Sequence, residues 1–279
     1  MYDGKRVLII DQLNLFFRNY IVNPSLSING APIGGLKGCF QSIQKVCRES
    51  KPDVIFICWD GPGGSKKRSL LKKDYKSGRK PIRLNRNVRN LSNEQESENK
   101  FWQQARVVEY YNHVPVIQFM FDSTEADDII AYLAQCKELE NAEKIIFSSD
   151  KDFFQLLGSK TVQYRPVQKE VLPFLRESKP ATFDDIISHS SEMMKESKIA
   201  AYQKVLENED LLKRNYRMMQ LYSPMLDIKS KKLVRETLGA PDMSFNKTEL
   251  IKMMMKDGFG EINFIELFQH FNRIAIDNR

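Results

Sequence analysis

Four short apolar runs set the rhythm of the first half of the chain. They are Val7–Ile10, Val54–Trp59, Val114–Met120 and the stretch opened by Ile145, Ile146 and Phe147. Continuous runs of this length, rich in Val, Ile and Phe, predict strands buried on both faces. Helical spacing fills the gaps between them. Asn14–Tyr20 reads as an aromatic-rich helix, and Leu36–Arg48 as a second with Cys39, Phe40, Ile43, Val46 and Cys47 on its apolar face. Gly61-Pro62-Gly63-Gly64 breaks the pattern after the second strand. Asn87–Asn112 reads as a long, mostly polar helix whose apolar positions, Phe101 to Tyr111, come late. Thr124 is placed to cap a helix that opens with Glu125, Asp127 and Asp128. Thr161–Tyr164 supplies a fifth strand. This βαβ alternation predicts an α/β fold, a doubly wound, mostly parallel sheet flanked by helices.

From about Pro166 the strand signals stop. Phe183–Met194, Lys198–Glu209, Leu211–Leu221, Leu233–Leu238, Lys247–Lys256 and Ile262–Ile274 all carry helical spacing. Two regions are therefore expected: 1–165 as the sheet domain and 166–279 as a helical C-terminal region wrapped on it. The paired and tripled methionines of the second region read as helix packing.

The strand ends carry the chemistry. Asp11 ends the first run, Asp60 the second, Glu125, Asp127 and Asp128 follow the third, and Asp150 and Asp152 follow the fourth. A parallel sheet gathers such ends along one crevice. Acids in a first helical turn also favour the helix dipole, which accounts for one or two of the middle three and less well for all three. Seven like charges in one crevice repel unless cations join them. His113, His189 and His270 lie far from the acids in sequence, and no cysteine accompanies them, so zinc is disfavoured. All-carboxylate ligands suit Mg²⁺ or Mn²⁺. Two such ions, ~4 Å apart, are a standard device for cleaving phosphodiesters.

Charge distribution adds a substrate class. The chain carries +7 overall, yet eleven Lys or Arg and one acid lie between Pro62 and Asn90. That segment is +10, which leaves the remainder at −3. A cationic block beside an acidic crevice points to a nucleic acid, against the plainer reading of a solvated loop. Cys39, Cys47, Cys58 and Cys136 lack metal-binding spacing and read as reduced core thiols. No apolar run approaches the ~20 residues that span a bilayer, and the N-terminus leads directly into a strand. A cytoplasmic protein of a bacterium or phage-infected cell is expected.

The ordered motifs are specific. Asp60 with Arg68 and Tyr75-Lys76-Ser77-Gly78-Arg79, then Glu125-Ala126-Asp127-Asp128, then Ser148-Ser149-Asp150-Lys151-Asp152 resemble the flap endonuclease family, above all phage 5′-nucleases and the 5′-nuclease domain of bacterial DNA polymerase I. The resemblance covers roughly residues 5 to 165. It implies a PIN-like sheet with a helical arch, here about 62–112, and a 5′-3′ exonuclease or flap endonuclease that also removes RNA primers. It places Asp11, Asp60, Glu125, Asp127 and Asp128 around a first metal, and Asp150 and Asp152 at a second. It makes Lys76 a catalytic residue at the scissile phosphate. It assigns DNA contacts to Arg18, Arg68, Lys72, Tyr75, Arg79, Lys80, Arg83 and Arg86, and base stacking to Phe17 or Tyr20, although core packing suits Tyr20 equally. The implied partners are DNA with 5′ flaps, nicks or ends, RNA–DNA hybrids and replication proteins, with the chain a monomer and no membrane involved.

Two departures stand out. Ser123-Thr124 precedes Glu125 where the family commonly has glycine and a bulky residue. More seriously, the family's Gly-Asp-x-x-Asp-Asn motif and glycine-rich helix–turn–helix should follow Tyr164. Here Gln168–Val171 runs into Leu172–Leu175, and no glycine occurs between Gly158 and Gly239. Either the segment was deleted or the chain as written closes over it. The second is favoured, which predicts that Val171 and Leu172 lie much farther apart than the ~3.8 Å of bonded neighbours. Two other functions remain open: a PIN-domain ribonuclease, and a nucleic-acid-binding protein with an inactive nuclease site.

Overall fold

The computed structural model describes residues 1–71, 73, 91–166, 170–172, 183–196 and 199–278. Arg6–Asp11 (β1), Val54–Cys58 (β2), Ile117–Phe119 (β3), Glu143–Phe147 (β4), Thr161–Arg165 (β5) and Glu170–Leu172 (β6) form one sheet. Its order is β3-β2-β1-β4-β5-β6. The first five strands are parallel and β6 is antiparallel. The chain builds outward from β1 through β2 to β3, then returns to the other side of β1 as β4. A crevice therefore opens at the carboxyl ends of β1, β2 and β4, where the order reverses. Val7–Ile10 and Val54–Cys58 are fully buried, as uninterrupted apolar runs require.

The helices of the first region are Gln12–Val22 (α1), Gly34–Ser50 (α2), Lys66–Leu71 (α3), Asn93–Tyr111 (α4) and Ala126–Gln135 (α5), with a 3-10 turn at Lys151–Leu156. The helix α2 starts without a side-chain cap of its own. Buried Gln103 on α4 supplies one: its Oε1 accepts from the Leu36 amide at 3.0 Å, and its Nε2 donates to the Pro32 carbonyl at 2.9 Å. The helix α4 opens with a capping box between Ser92 and Gln95. Near its other end, Arg106 reaches Asp257 through Nε (2.5 Å) and Nη2 (2.9 Å), and Tyr110 donates to the same carboxylate at 2.6 Å.

The second region contains Phe183–Glu196 (α6), Ala200–Glu207 (α7), Glu209–Met219 (α8), Ile228–Gly239 (α9), Lys247–Lys256 (α10) and Phe264–Asp277 (α11). Val234, Leu238, Leu250, Met254, Leu267, Phe271 and Ile274 share one core with the sheet residues. The last three helices thus complete the hydrophobic core, while α7 buries no residue. All four cysteines are buried and unpaired. Among the described residues, no helix is long and apolar enough to cross a membrane.

The structure corrects several expectations. A sixth strand exists after Pro166. Val171 and Leu172 are consecutive in it, opposite Tyr164 and Gln163, so no interruption separates them. Three residues hydrogen-bonded to an edge strand are too few to show a strand period. The third strand shrinks to Ile117–Phe119. The cap of α5 is Glu125, and the Thr124 hydroxyl instead donates to the Asp122 carbonyl at 3.2 Å. The helix expected from Asn87 is described from Asn93, and residues 87–90 lie outside the described residues.

The turns after β2 and β3 are zipped together. Trp59 N donates to Phe119 O (2.9 Å), Ser123 N to Pro62 O (2.8 Å) and Gly61 N to Thr124 O (2.9 Å). Gly61 is required by this approach, because a Cβ there would lie 1.8 Å from the Phe121 carbonyl oxygen. Gly61→Ala should therefore force backbone movement and cost about 1–3 kcal/mol. A lowered urea midpoint with unchanged slope checks this, and an unshifted midpoint would refute it.

Candidate active site

The zipped turns bring acids from separate strands into one crevice. Asp11 ends β1 and caps α1, its Oδ1 accepting from Asn14 N at 3.1 Å and its Oδ2 from the Ser148 hydroxyl at 2.9 Å. Asp60 accepts from Ala126 N, in the first turn of α5, at 2.6 Å. Asp150 caps the 3-10 turn and accepts from Asp152 N at 2.9 Å. Ser148 links the two central strands: its hydroxyl faces Asp11 and also accepts from Asp150 N at 3.0 Å. Buried Gln163 on β5 holds the same loop by donating to the carbonyls of Ser148 (2.9 Å) and Asp150 (2.6 Å).

The electrostatics confirm the convergence. Burial, then Asp60 and Asp150, push the Asp11 carboxyl up to about 7, against its hydrogen bonds from Asn14 and Ser148. Half-buried Asp127 is also held well above the usual carboxylate range, by burial and then by Asp11, Asp150, Asp60 and Glu125. Burial and Asp150 raise Asp152, and Arg68 opposes them. The crevice thus retains protons that exposed acids would lose.

Glu125 and Asp128 differ from the rest. Both are almost fully buried, and both are claimed by Arg68, only 3% exposed itself. Arg68 Nη1 lies 2.5 Å from Glu125 Oε2 and 2.8 Å from Asp128 Oδ2, and Nη2 lies 3.3 Å from Asp128 Oδ1. Its Nε donates to the Met218 carbonyl at the end of α8 (2.9 Å). Arg68 was expected on a phosphate, but here it is buried among acids that need a counter-charge.

Other expected site residues divide. Tyr20 is fully buried, stacked 5.6 Å from Phe16, and its hydroxyl donates to the Glu96 carbonyl at 3.2 Å, so it packs the core and is closed to a base. Phe17 is half-buried, edge-on to Phe16. Half-buried Arg18 lies 5.5 Å over the Phe147 ring, with a buried Nη1 that makes no hydrogen bond among the described residues. Lys72, Tyr75, Lys76, Arg79, Lys80, Arg83 and Arg86 lie outside the described residues.

Among the described residues, no three His, Cys, Asp or Glu side chains are arranged around one point as metal ligands are. The donors of Asp11, Asp60, Asp127, Asp150 and Asp152 are nevertheless all carboxylate oxygens that repel one another, a set suited chemically to a hard divalent cation. The sequence marked Ser148 only as part of a motif and gave no site role to Gln163 or Asn14. Gln163 did carry a signal, a polar residue at an inward position of an otherwise ordinary strand.

Comparison with known proteins accords with this geometry. A family model described as 5′-3′ exonuclease, N-terminal resolvase-like domain, matches residues 6–184. A flap endonuclease Xni from Shewanella loihica is 32% identical over 156 residues, 55% of this chain and 52% of that protein. DNA polymerase I of Caldicellulosiruptor bescii is 26% identical over 158 residues, 56% of this chain and 17% of that protein. The chain spans about half, or less, of the length of these curated relatives. Among solved structures, the bacteriophage T5 5′-exonuclease aligns with 99% of this chain and 100% of its own, with a TM-score of 0.56 at 14% identity. A flap endonuclease from the same phage covers 91% of this chain and 98% of its own, with a TM-score of 0.55 at 14% identity. These two establish the fold as PIN-like. With most of its length matched by the family model, and with acids at the ends of β1, β2 and β4, the chain belongs to the 5′-3′ exonuclease family through its N-terminal resolvase-like domain.

Proposed function

We propose that this chain is a divalent-metal-dependent 5′-nuclease acting on DNA with flaps, nicks or 5′ ends, with RNA–DNA hybrids as further substrates. The observation that carries this reading is the mutual repulsion of Asp11, Asp60, Asp127 and Asp150, which arrive at one crevice from the ends of separate strands. Such crowding is unfavourable for a structural site and suits a cation site. Family membership and the cationic block at 62–90 support the same reading. The T5 flap endonuclease of similar fold was crystallised with DNA and metal ions, and the T5 5′-exonuclease with zinc.

Asp11, Asp60, Asp127, Asp150 and Asp152 would hold Mg²⁺ or Mn²⁺. Metal bound by these carboxylates would supply Lewis acidity toward an attacking water and the leaving oxygen of a phosphodiester. Ser148 and Asn14 fix the Asp11 carboxylate, and Gln163 holds the loop that presents Asp150. Arg18, whose guanidinium lies over the Phe147 ring, would contribute positive charge beside the acids on the 5′ side. Lys76 retains the transition-state role that the family motif implies.

A second reading gains from one observation. Because β6 runs unbroken through Val171 and Leu172, a second ion is left to Asp150 and Asp152 and should bind weakly. This favours a nucleic-acid-binding protein without cleavage over a PIN-domain ribonuclease as the alternative. A fluorescent 5′-flap oligonucleotide separates the readings. The nuclease cuts it with Mg²⁺ or Mn²⁺ and not in EDTA. Binding without cutting would support the second reading, and full cleavage in EDTA would overturn the metal requirement.

Asp150→Asn should abolish cleavage and leave flap binding near normal, since one charge leaves the ion site while the cationic contacts persist. Normal turnover in that variant would remove Asp150 from the site.

The raised Asp11 carboxyl gives a pH test. Unfolded aspartate ionises near about 3.9, whereas native Asp11 keeps its proton to about 7. Between those values the native state binds more protons, so stability in EDTA should fall as pH rises through this window. Asp11→Asn keeps an acceptor for Asn14 and removes the charge. It should melt higher than wild type at pH 7.5, with the difference shrinking as pH falls and closing at about pH 4, the unfolded value. Equal melting of the two proteins at pH 7.5 would count against the raised carboxyl.

A further inference from the structure

We propose that Arg68 is a positioning residue of the acidic crevice, a built-in cation that divides the seven acids into a closed pair and an open group. The closed pair is Glu125 and Asp128. The open group is Asp11, Asp60, Asp127, Asp150 and Asp152. The division of labour rests on the nuclease reading only in that the open group is where an ion would bind.

The geometry supports this in three ways. First, Arg68 is built into the protein. Its side chain is 4% exposed, and the carboxyl side chains of both partners are 2% exposed. Its Nε, Nη1 and Nη2 are all directed to acceptors inside the protein. To reach a phosphate it would have to abandon two buried carboxylates whose charge it neutralises. Second, the contact joins three elements. Arg68 comes from α3, at the base of the cationic segment. Asp128 comes from the first turn of α5 and also accepts from Met225 N (2.9 Å), in the connection from α8 to α9. Neighbouring Lys67 donates to the Met225 carbonyl at 2.6 Å. One buried guanidinium thus ties the foot of the basic segment, the acid-bearing helix and the C-terminal region together. Third, neighbouring residues on α5 lie about 100° apart around the helix axis, since a turn takes 3.6 residues. Asp128 is held by Arg68, while Asp127 feels Asp11, Asp60 and Asp150. Fixing Asp128 therefore fixes where Asp127 presents its charge.

The consequence is that the α5 corner does not need a metal ion to stay folded. Removing the guanidinium alone would take a positive charge from beside two buried carboxylates and favour a divalent cation in its place. Arg68→Met should melt several degrees below wild type in EDTA and recover most of that loss with Mg²⁺. Wild type should gain much less from Mg²⁺. Titration with Mn²⁺, followed by the electron paramagnetic resonance of the free ion, should show additional bound Mn²⁺ in Arg68→Met. Arg68→Lys, which keeps a charge but loses the fork, should fall between the two. Binding of a 5′-phosphorylated flap oligonucleotide in Ca²⁺ should change by less than about threefold, below 1 kcal/mol. If Arg68→Met does not fold in EDTA, the triple variant Arg68→Met, Glu125→Gln, Asp128→Asn keeps the test open. Removing all three charges should restore a cooperative melt that gains no more from Mg²⁺ than wild type does. The proposal is overturned if Arg68→Met melts like wild type in EDTA, if Mg²⁺ does not recover its loss, or if its main defect is weaker oligonucleotide binding. None of these measurements needs cleavage, so an inactive wild-type protein would overturn the nuclease reading and leave this assignment standing.

Discussion

Like charge gathered at the carboxyl ends of parallel strands is the constraint on which the rest of the structure depends. Carboxylates in one poorly solvated crevice cannot all stay ionised without compensation. This protein compensates in three distinct ways. Asp11 holds a proton up to about pH 7. Asp60, Asp128 and Asp150 accept backbone N–H groups from Ala126, Met225 and Asp152. Glu125 and Asp128 share a buried guanidinium. A divalent cation would be a fourth, displacing the protons that the crevice retains.

The rest of the fold can be seen as what holds that arrangement in place. The order β3-β2-β1-β4 creates the crevice, and the backbone bonds between the 59–62 and 119–124 turns bring Asp60 to the foot of α5. Gln163, from a fifth strand, steadies the loop that carries Asp150. The C-terminal helices do more than fill the core. The end of α8 offers its Met218 carbonyl to Arg68 and its Met219 carbonyl to Gln155, so it touches both the basic and the acidic walls of the site.

The strands and their acids were legible because each is a local signal: a continuous apolar run, closed by an aspartate. The helix α10 was legible to the residue, since Lys247–Lys256 carries an unambiguous apolar spacing. What escaped depends on contacts between distant segments. Nothing near Gln103 indicates that it caps a helix that begins about seventy residues earlier. Nothing in the run Lys66-Lys67-Arg68 marks the third cation as the buried one. The strand β6 has only three residues and exists because β5 offers an open edge. Tyr20 could be read from its neighbours as either a stacking platform or a core residue, and only its partners Phe16 and Glu96 decide for the core.

Arg68 also changes what the cationic block means. Counted along the chain, eleven cations look like one electrostatic footprint for a polyanion. In space, the first three serve different ends. Arg68 neutralises acids of the crevice, Lys67 is tied to the Met225 carbonyl, and Lys66 stays exposed. A phosphate backbone responds to cations it can approach, each releasing roughly one counterion on contact. Arg68 cannot be counted among them, and Lys67 only in part. The acidic crevice and the basic segment are therefore one construction. The short helix α3 places one cation among the acids of the crevice. Charge read along a sequence overstates the substrate footprint wherever some of that charge is used to make the neighbouring site stable.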